Sequence, residues 1–424
     1  MIARPASLAV RVPGDKSISH RALICAALAS GRSRIRNILP SADVRSTAGV
    51  LRALGAGVPQ LGDDMRVDGR GLVGLTAPTH ALDCGNSGTT ARLVSGVLSG
   101  CPFASRMVGD ASLSRRPMGR VARPLTMMGA HFAFDAGEHL PMVVTGGPLR
   151  SIRFESPTAS AQVKSAILLA GLVGRVAVSV TEPVRSRDHT ERMLAALGID
   201  VRSLGLEASL EPASELSPFQ LDVPADPSSA AFFAALAAAG GVRGGGALEL
   251  TDVALNPTRL GFFRALREMG ADATWEVHRE ECGEPVGTIT IAARSLHGAD
   301  IRGEQVPAMI DELPMLACLG ALAQGNTEIR GASELRVKES DRIAAVVQNL
   351  RAVGADADEL PDGLRVRGGT RSLGGAVRTH GDHRLAMAFG VLGALTGDAI
   401  TVDDPDCVSV SYPGFWSDLE RVTA

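Results

Sequence analysis

The sequence predicts an α/β fold built from six copies of one unit, and three observations predict it. The first is a phrase in which a helix-forming run closes on glycine before a strand begins. It recurs as LRALGAGV from 51, LTMMGAHF from 125, LAALGIDV from 194, LREMGADA from 266 and LRAVGADA from 350. Its glycines, Gly55, Gly129, Gly198, Gly270 and Gly354, lie 74, 69, 72 and 84 residues apart and stand where a left-handed residue ends a helix. The second observation is an Ala/Leu-rich helix, a glycine and a β-branched strand, out of phase with the first phrase. It closes at Gly31, Gly100, Gly174, Gly240, Gly325 and Gly397. The third is length: 424 residues hold six such units. The spacing exceeds the roughly 20 to 50 residues of solenoid and propeller repeats, so a few copies should pack into each closed domain.

Each copy reads in order as an apolar helix, a strand, an amphipathic helix and short strands such as MRVDG, MVVTG, TITI and LRVRG. The first helix is apolar nearly all round, as in AAFFAALAA, which marks a helix enclosed in a core, and three such helices can share one core. Before these six helices stand GDKSISHR (14–21), CGNSGTTAR (84–92), SAQVKSA (160–166), ADPSSAAF (225–232), MIDELPM (309–315) and GDHRLAM (381–387). A helix N-terminus offers unpaired N–H groups and about half a positive charge, a natural seat for an anion. Capping by Ser17, Ser160, Asp226 and Asp382 accounts for the small and acidic residues. It does not account for Lys16, Arg21, Lys164 and Arg384, cations that oppose the dipole unless an anion sits between them. Two more basic stretches, SLSRRPMGR (112–120) and ELRVKESDR (334–342), agree, although Lys338, Glu339, Asp341 and Arg342 also have the spacing of a local salt-bridge face.

Composition removes several classes of function. Lys plus Arg 43 against Asp plus Glu 46 gives a net charge of -3, so any anion binding is local and no field draws the chain to nucleic acid or an anionic membrane. One Tyr and two Trp leave little for base stacking. Six cysteines without a C-x-x-C pair predict buried free thiols and no zinc site, and His20, His189 and His383 lack the spacing of a metal centre. The start MIARPASLAVRVPGD has no continuous apolar segment, and no stretch reaches the roughly 18 apolar residues of a membrane helix, so a cytoplasmic protein is expected.

The motifs together resemble the 5-enolpyruvylshikimate-3-phosphate synthase family. The resemblance runs from PGDKSISHRALICAALASG through GNSGTTARL, GDASLSRRPMGR, SAQVKSAILLAGL, SRDHTERML, MIDELPMLA, ELRVKESDRIAA and GDHRLAMAFGVLG in family order, and the wording is that of the bacterial class II branch. It implies a two-domain inside-out α/β barrel of six βαβαββ repeats, three per domain. One domain would be 14–223, and the other 1–13 with 224–424. The active site is implied in the cleft between them, where anionic substrates would draw the protein shut.

The implied reaction moves the enolpyruvyl group of phosphoenolpyruvate onto the 5-hydroxyl of shikimate 3-phosphate, releasing phosphate through a tetrahedral intermediate on the route to aromatic amino acids. It needs no metal or organic cofactor. Carried over by position, Lys16, Ser17 and Arg21 match the first substrate motif, with Lys16 touching both substrates. Ser160, Gln162, Ser186 and Arg187 match positions that hold the shikimate ring and its phosphate. Arg116, Arg342 and Arg384 match the phosphoenolpyruvate clamp, where a guanidinium fork suits phosphate and carboxylate. Asp311 is implied as the base toward the 5-hydroxyl, Glu339 with Lys16 as the proton-transfer pair at the methylene carbon, and Lys338 as a shikimate contact. Asn86 and Gly88 match the turn beside phosphoenolpyruvate, which implies binding of the inhibitor glyphosate. Asp43 matches an acidic position but also reads as an exposed loop carboxylate. Val410 stands where many relatives place Lys. A monomer is expected, with no nucleic-acid or membrane partner.

Three other readings stay open. UDP-N-acetylglucosamine enolpyruvyl transferase shares the fold but carries a reactive Cys on the loop matching 110–120, where this chain has none. A non-catalytic anion-binding homologue would keep the cleft and lose turnover, against which intact Asp311, Glu339 and Lys16 argue. A role like that of RNA terminal phosphate cyclase would need nucleotide motifs that are absent.

Overall fold

Caps set the starts of the buried helices. Asp15 accepts the Ile18 N–H at 2.7 Å and starts the helix Lys16–Leu28. Ser87 caps Gly88–Ser99, Ser160 caps Ala161–Gly174, Asp226 caps Pro227–Ala238 and Asp382 caps His383–Leu395. The sequence reading placed the first cap at Ser17. That residue lies one step inside the helix because Asp15 supplies the stronger acceptor. The sixth buried helix, Leu313–Leu322, starts at Glu312 without a side-chain cap and with Pro314 in its first turn.

The computed structural model describes residues 7–369, 372–397 and 399–424, so part of the expected 1–13 segment and Asp398 of the sixth strand phrase lie outside it. The helix-ending glycines behave as the first phrase predicts: Gly55, Gly129, Gly198, Gly270 and Gly354 all have φ between 84 and 117°. The second phrase is less uniform. Gly100 has φ −89° and Gly174 is still helical, so the left-handed turn after Ala161–Gly174 falls on Arg175 at φ 54°.

The chain forms two compact units. One comprises Gly14–Val223 with Glu280–Glu284, the turn of a hairpin that the sequence reading assigned wholly to the other domain. The remaining residues, Met1–Pro13, Pro224–Arg279 and Pro285–Ala424, make the second unit.

In the first unit, one sheet orders Gln220–Asp222, Arg32–Arg36 and Asp64–Asp68. A second orders Leu82–Asp83, Ala104–Val108, Met142–Thr145 and His131–Phe134, and a third Ile152–Glu155, Val178–Thr181, Glu207–Leu210 and Val201–Leu204. In each, the first pair is parallel and the rest antiparallel, as with Leu221 opposite Ile35 and Ile35 opposite Met65. The second unit repeats this order in Leu8–Val10, Leu248–Ala254, Glu284–Ala292, Asp272–Glu281 and again in Asp300–Ile301, Asn326–Ile329, Gly363–Arg367, Asp356–Leu360. Its third sheet is the parallel pair Gly375–Val377 and Ile400–Val402.

This is a mixed α/β fold of six sheets, one per predicted copy. Among the described residues no barrel closes by strand pairing, because each sheet has only two to four strands and keeps two edges. Neighbouring copies meet through helices instead. Within the first unit a Cβ on Gly96 would stand 2.2 Å from the Ala166 carbonyl oxygen, so the helices Gly88–Ser99 and Ala161–Gly174 approach backbone to backbone.

One exchange of strands marks the chain crossing. Leu8–Val10 precedes the helix Lys16–Leu28 in sequence yet pairs in parallel with Leu248–Ala254, whereas Gln220–Asp222 precedes the helix Pro227–Ala238 yet pairs with Arg32–Arg36. Every residue of Pro227–Ala238 is buried, and Phe232 and Phe233 pack on Tyr412 and Phe415 at centroid separations of 5.9 to 6.0 Å. Each such aromatic stabilises the core by about 1.5–3 kcal/mol through burial alone.

Candidate active site

Within each unit, polar residues near the start of one helix bond those near the start of another, as Arg92 does Gln162 and Arg342 does Asp311. In the unit Gly14–Val223, Arg21 stands one turn into its helix, 4 % exposed, and donates from Nε to Thr190 Oγ1 at 2.7 Å and from Nη2 to Ser165 Oγ at 2.8 Å. Its Nη1 bonds the Ser17 carbonyl at 3.0 Å. The first two bonds tie Arg21 to the helix Ala161–Gly174 and the start of His189–Ala196. Burial lowers the Arg21 pKa, and Glu191 and Asp15 partly offset it. Lys16 pairs with Asp43 at 3.1 Å, and Asp43 is buried at 8 % in the first turn of Ala42–Ala53, so the exposed-loop reading of Asp43 fails.

The helix Gly88–Ser99 brings Asn86, Gly88 and Arg116 together. Arg116 donates from Nη2 to Asn86 Oδ1 at 2.6 Å, and Asn86 Nδ2 donates to Asp110 at 2.6 Å. A Cβ on Gly88 would lie 2.5 Å from Arg92 Nη1 and 3.5 Å from Arg116 Nη1, so an added methyl group would make the Arg92 guanidinium shift. Arg92 Nη1 donates to Gln162 Oε1 at 2.9 Å while Gln162 Nε2 donates to Thr89 Oγ1 at 3.1 Å, which fixes the way the amide faces. Ser160 and Ser186 meet at Glu182: the Ser160 N–H donates to it at 2.8 Å and the Ser186 hydroxyl at 2.7 Å. Arg187 is half-buried in the loop that follows.

In the second unit Arg342 is the centre. At 1 % exposure its Nε bonds Asp382 at 2.8 Å, Nη1 bonds Asp311 at 3.2 Å and Nη2 bonds Glu339 at 2.7 Å. Burial pulls its pKa down, but Asp382, Glu339 and Asp311 outweigh burial and hold it above the ordinary arginine value. Lys338 Nζ stands 3.9 Å from the same Asp311 carboxylate. Arg384 is 4 % exposed with its guanidinium 5.8 Å from the Phe232 ring centroid. Two carboxylates held by one guanidinium beside a lysine supply a proton acceptor, a second proton-transfer group and balancing charge in one place.

Lys164, grouped by sequence with the ligand-binding cations, has another role: it is buried between Glu182 at 2.7 Å and Glu191 at 2.9 Å. Burial works to lower its pKa, yet the two carboxylates outweigh it and the pKa rises. His20 bonds Thr47 at 2.7 Å and His189 bonds Glu284 at 2.7 Å, so both serve structure. All six cysteines are free, four buried and Cys282 and Cys407 half-buried, and burial raises every thiol pKa, to about 11 at Cys282 and about 12 at Cys84. None is poised as a thiolate nucleophile. Among the described residues no group of three or more His, Cys, Asp or Glu is placed to hold a metal ion, and no helix is long and apolar enough to cross a membrane.

The sequence reading missed Arg92, Glu182, Glu312 and Arg259. Glu312 is buried and bonds the Ser228 hydroxyl, and Arg259 bonds that hydroxyl at 2.6 Å and Asp226 at 3.2 Å. Arg92 and Glu312 had a signal, a charge at the edge of an apolar helix. Glu182 stands in a loop and Arg259 ends the short 3-10 helix Pro257–Arg259, neither at a special spacing, and only the folded chain shows what they bond.

The model of the family described as EPSP synthase (3-phosphoshikimate 1-carboxyvinyltransferase) matches residues 3–419. A 3-phosphoshikimate 1-carboxyvinyltransferase of Sulfurihydrogenibium sp. (strain YO3AOP1) is 48 % identical over 98 % of this chain and 96 % of its own length. One from Gloeobacter violaceus is 49 % identical over 99 % and 97 %. Among solved structures, EPSP synthase from Acinetobacter baumannii superposes with a TM-score of 0.86 at 41 % identity, covering 99 % of this chain and 97 % of that one. The enolpyruvyl transferase NikO from Streptomyces tendae, at 21 % identity and a TM-score of 0.75, covers 99 % of this chain and 95 % of its own and shares the fold. By sequence along nearly its whole length, and by fold, the chain belongs to the EPSP synthase family.

Proposed function

We infer that the chain transfers the enolpyruvyl group of phosphoenolpyruvate to the 5-hydroxyl of shikimate 3-phosphate, with release of phosphate by addition and elimination. The observation that carries the chemistry is Arg342 holding Asp311 and Glu339 side by side at 3.2 and 2.7 Å. Asp311 accepts the proton of the attacking hydroxyl, Glu339 with Lys16 serves the methylene carbon, and Lys338 contacts the shikimate moiety. Such positioned acids and bases contribute about 10²–10⁴-fold each. Arg116, Arg342 and Arg384 hold phosphoenolpyruvate beside Asn86 and Gly88, and Ser17, Arg21, Ser160, Gln162, Ser186 and Arg187 hold shikimate 3-phosphate. This reading needs no cofactor. Glyphosate binding at the phosphoenolpyruvate residues, a monomeric state and a cytoplasmic location belong to the same proposal.

The test is phosphate release with shikimate 3-phosphate and phosphoenolpyruvate, each omitted in turn. Release that requires both supports the transfer. Release with UDP-N-acetylglucosamine as acceptor, or none with any acceptor, overturns it.

A further inference from the structure

Glu182 lies just past the strand Val178–Thr181, 3 % exposed, and four donors converge on its carboxylate. They are the Ser160 N–H at 2.8 Å, the Ser186 hydroxyl at 2.7 Å, the Ser186 N–H at 3.4 Å and Lys164 Nζ at 2.7 Å. The Ser160 N–H sits at the mouth of the helix Ala161–Gly174, where a helix would otherwise offer its donors to an anion. A carboxylate at that mouth opposes binding of a second anion unless its charge is offset. Lys164 offsets it, and Glu191, which bonds Lys164 at 2.9 Å, is balanced in turn by Arg21, whose guanidinium feels the Glu191 charge. Two cations and two carboxylates leave the cluster neutral.

A cluster whose formal charges cancel adds no net attraction for phosphate, so its use is geometric. A carboxylate only accepts hydrogen bonds, and the single Ser186 proton directed at it holds that hydroxyl in one rotamer. The same carboxylate draws the loop bearing Ser186 against the helix start bearing Ser160. We propose that Glu182 is a positioning residue that sets Ser160 and Ser186 in register for shikimate 3-phosphate, with Lys164 and Glu191 holding its charge. The proposal rests on the function inferred above.

Charge and geometry predict opposite signs for E182Q. Losing one negative charge leaves the cluster a net cation, which by electrostatics alone lowers the KM for shikimate 3-phosphate. Loss of positioning raises it. The expected result is a rise of about tenfold, with the KM for phosphoenolpyruvate moving less than about threefold and kcat falling less than KM rises. In an S186A background the same change should add less than about threefold, because the shared partner is already gone. An unchanged or lower KM for shikimate 3-phosphate, or full additivity with S186A, overturns the proposal. If E182Q fails to fold, E182D, which keeps the charge and shortens the reach, is read in its place and must also raise that KM. Failure of the unaltered protein to turn over both substrates would instead overturn the functional reading.

Discussion

At Arg342 one guanidinium bonds three carboxylates, so its position inside the molecule is fixed by Asp382 while its other arms fix Asp311 and Glu339. A lysine carries the same charge at one point and lacks the planar fork that reaches these three spread acceptors at once. Replacement R342K should therefore lower kcat about a hundredfold or more, measured by phosphate release, and D311N should do the same while leaving the thermal midpoint nearly unchanged. His20 illustrates a buried group that opposes its own protonation. Burial first, then the charges of Lys16 and Arg21, hold its pKa well below 6.5, so below that pH the unfolded chain takes up a proton that the folded one refuses. Its contribution is thus fully present above pH 6.5 and is lost as pH falls toward the folded pKa, by at most about 1.4 kcal/mol per pH unit. Urea midpoints at pH 7.5 and 5.5 should fall less steeply in H20Q than in the unaltered protein, and equal slopes would refute this.

Helices fit together here through absent side chains as much as present ones. Gly96 faces the Ala166 carbonyl, and a methyl group at 2.2 Å from backbone must push the helices Gly88–Ser99 and Ala161–Gly174 apart. G96A should cost about 1–3 kcal/mol by urea unfolding, whereas G147A, with nothing within 4 Å of its Cβ, should stay within about 0.5 kcal/mol of the parent. At the same helix, Ser87 accepts the Thr90 N–H at 3.2 Å and the Thr90 hydroxyl at 2.8 Å, so S87A should lose about 1 kcal/mol. Helix ends and burial were legible at this scale because glycine stops and all-apolar runs are local signals. The shift of the first cap from Ser17 to Asp15, and of one helix end from Gly174 to Arg175, were not, since neighbouring residues of similar capping ability differ only in how the entering chain turns.

At the scale of the whole chain, the exchange of two strands makes the two units unequal as fragments. Residues 14–223 carry every strand of their three sheets and lose the Glu280–Glu284 turn, in which Glu281, Gly283 and Glu284 accept from the Asp222 N–H, Arg192 and His189. Residues 224–424 lack Leu8–Val10 and leave Leu248–Ala254 as an open edge. Expressed alone, 14–223 should unfold cooperatively and stay monomeric, while 224–424 should aggregate. Soluble, cooperative behaviour of 224–424 would show that this strand is dispensable.

The sequence by itself determined the α/β class, the six copies and the family motifs, because glycine spacing, helix apolarity and motif wording are properties of residues near one another in the chain. Only the tertiary structure decided which sheet each crossing strand joins, that no barrel closes by strand pairing among the described residues, and that Lys164 is bound by Glu182 and Glu191. Those outcomes turn on pairings between residues distant in sequence or on which of several equal charges lies nearest, and no local pattern encodes such distances.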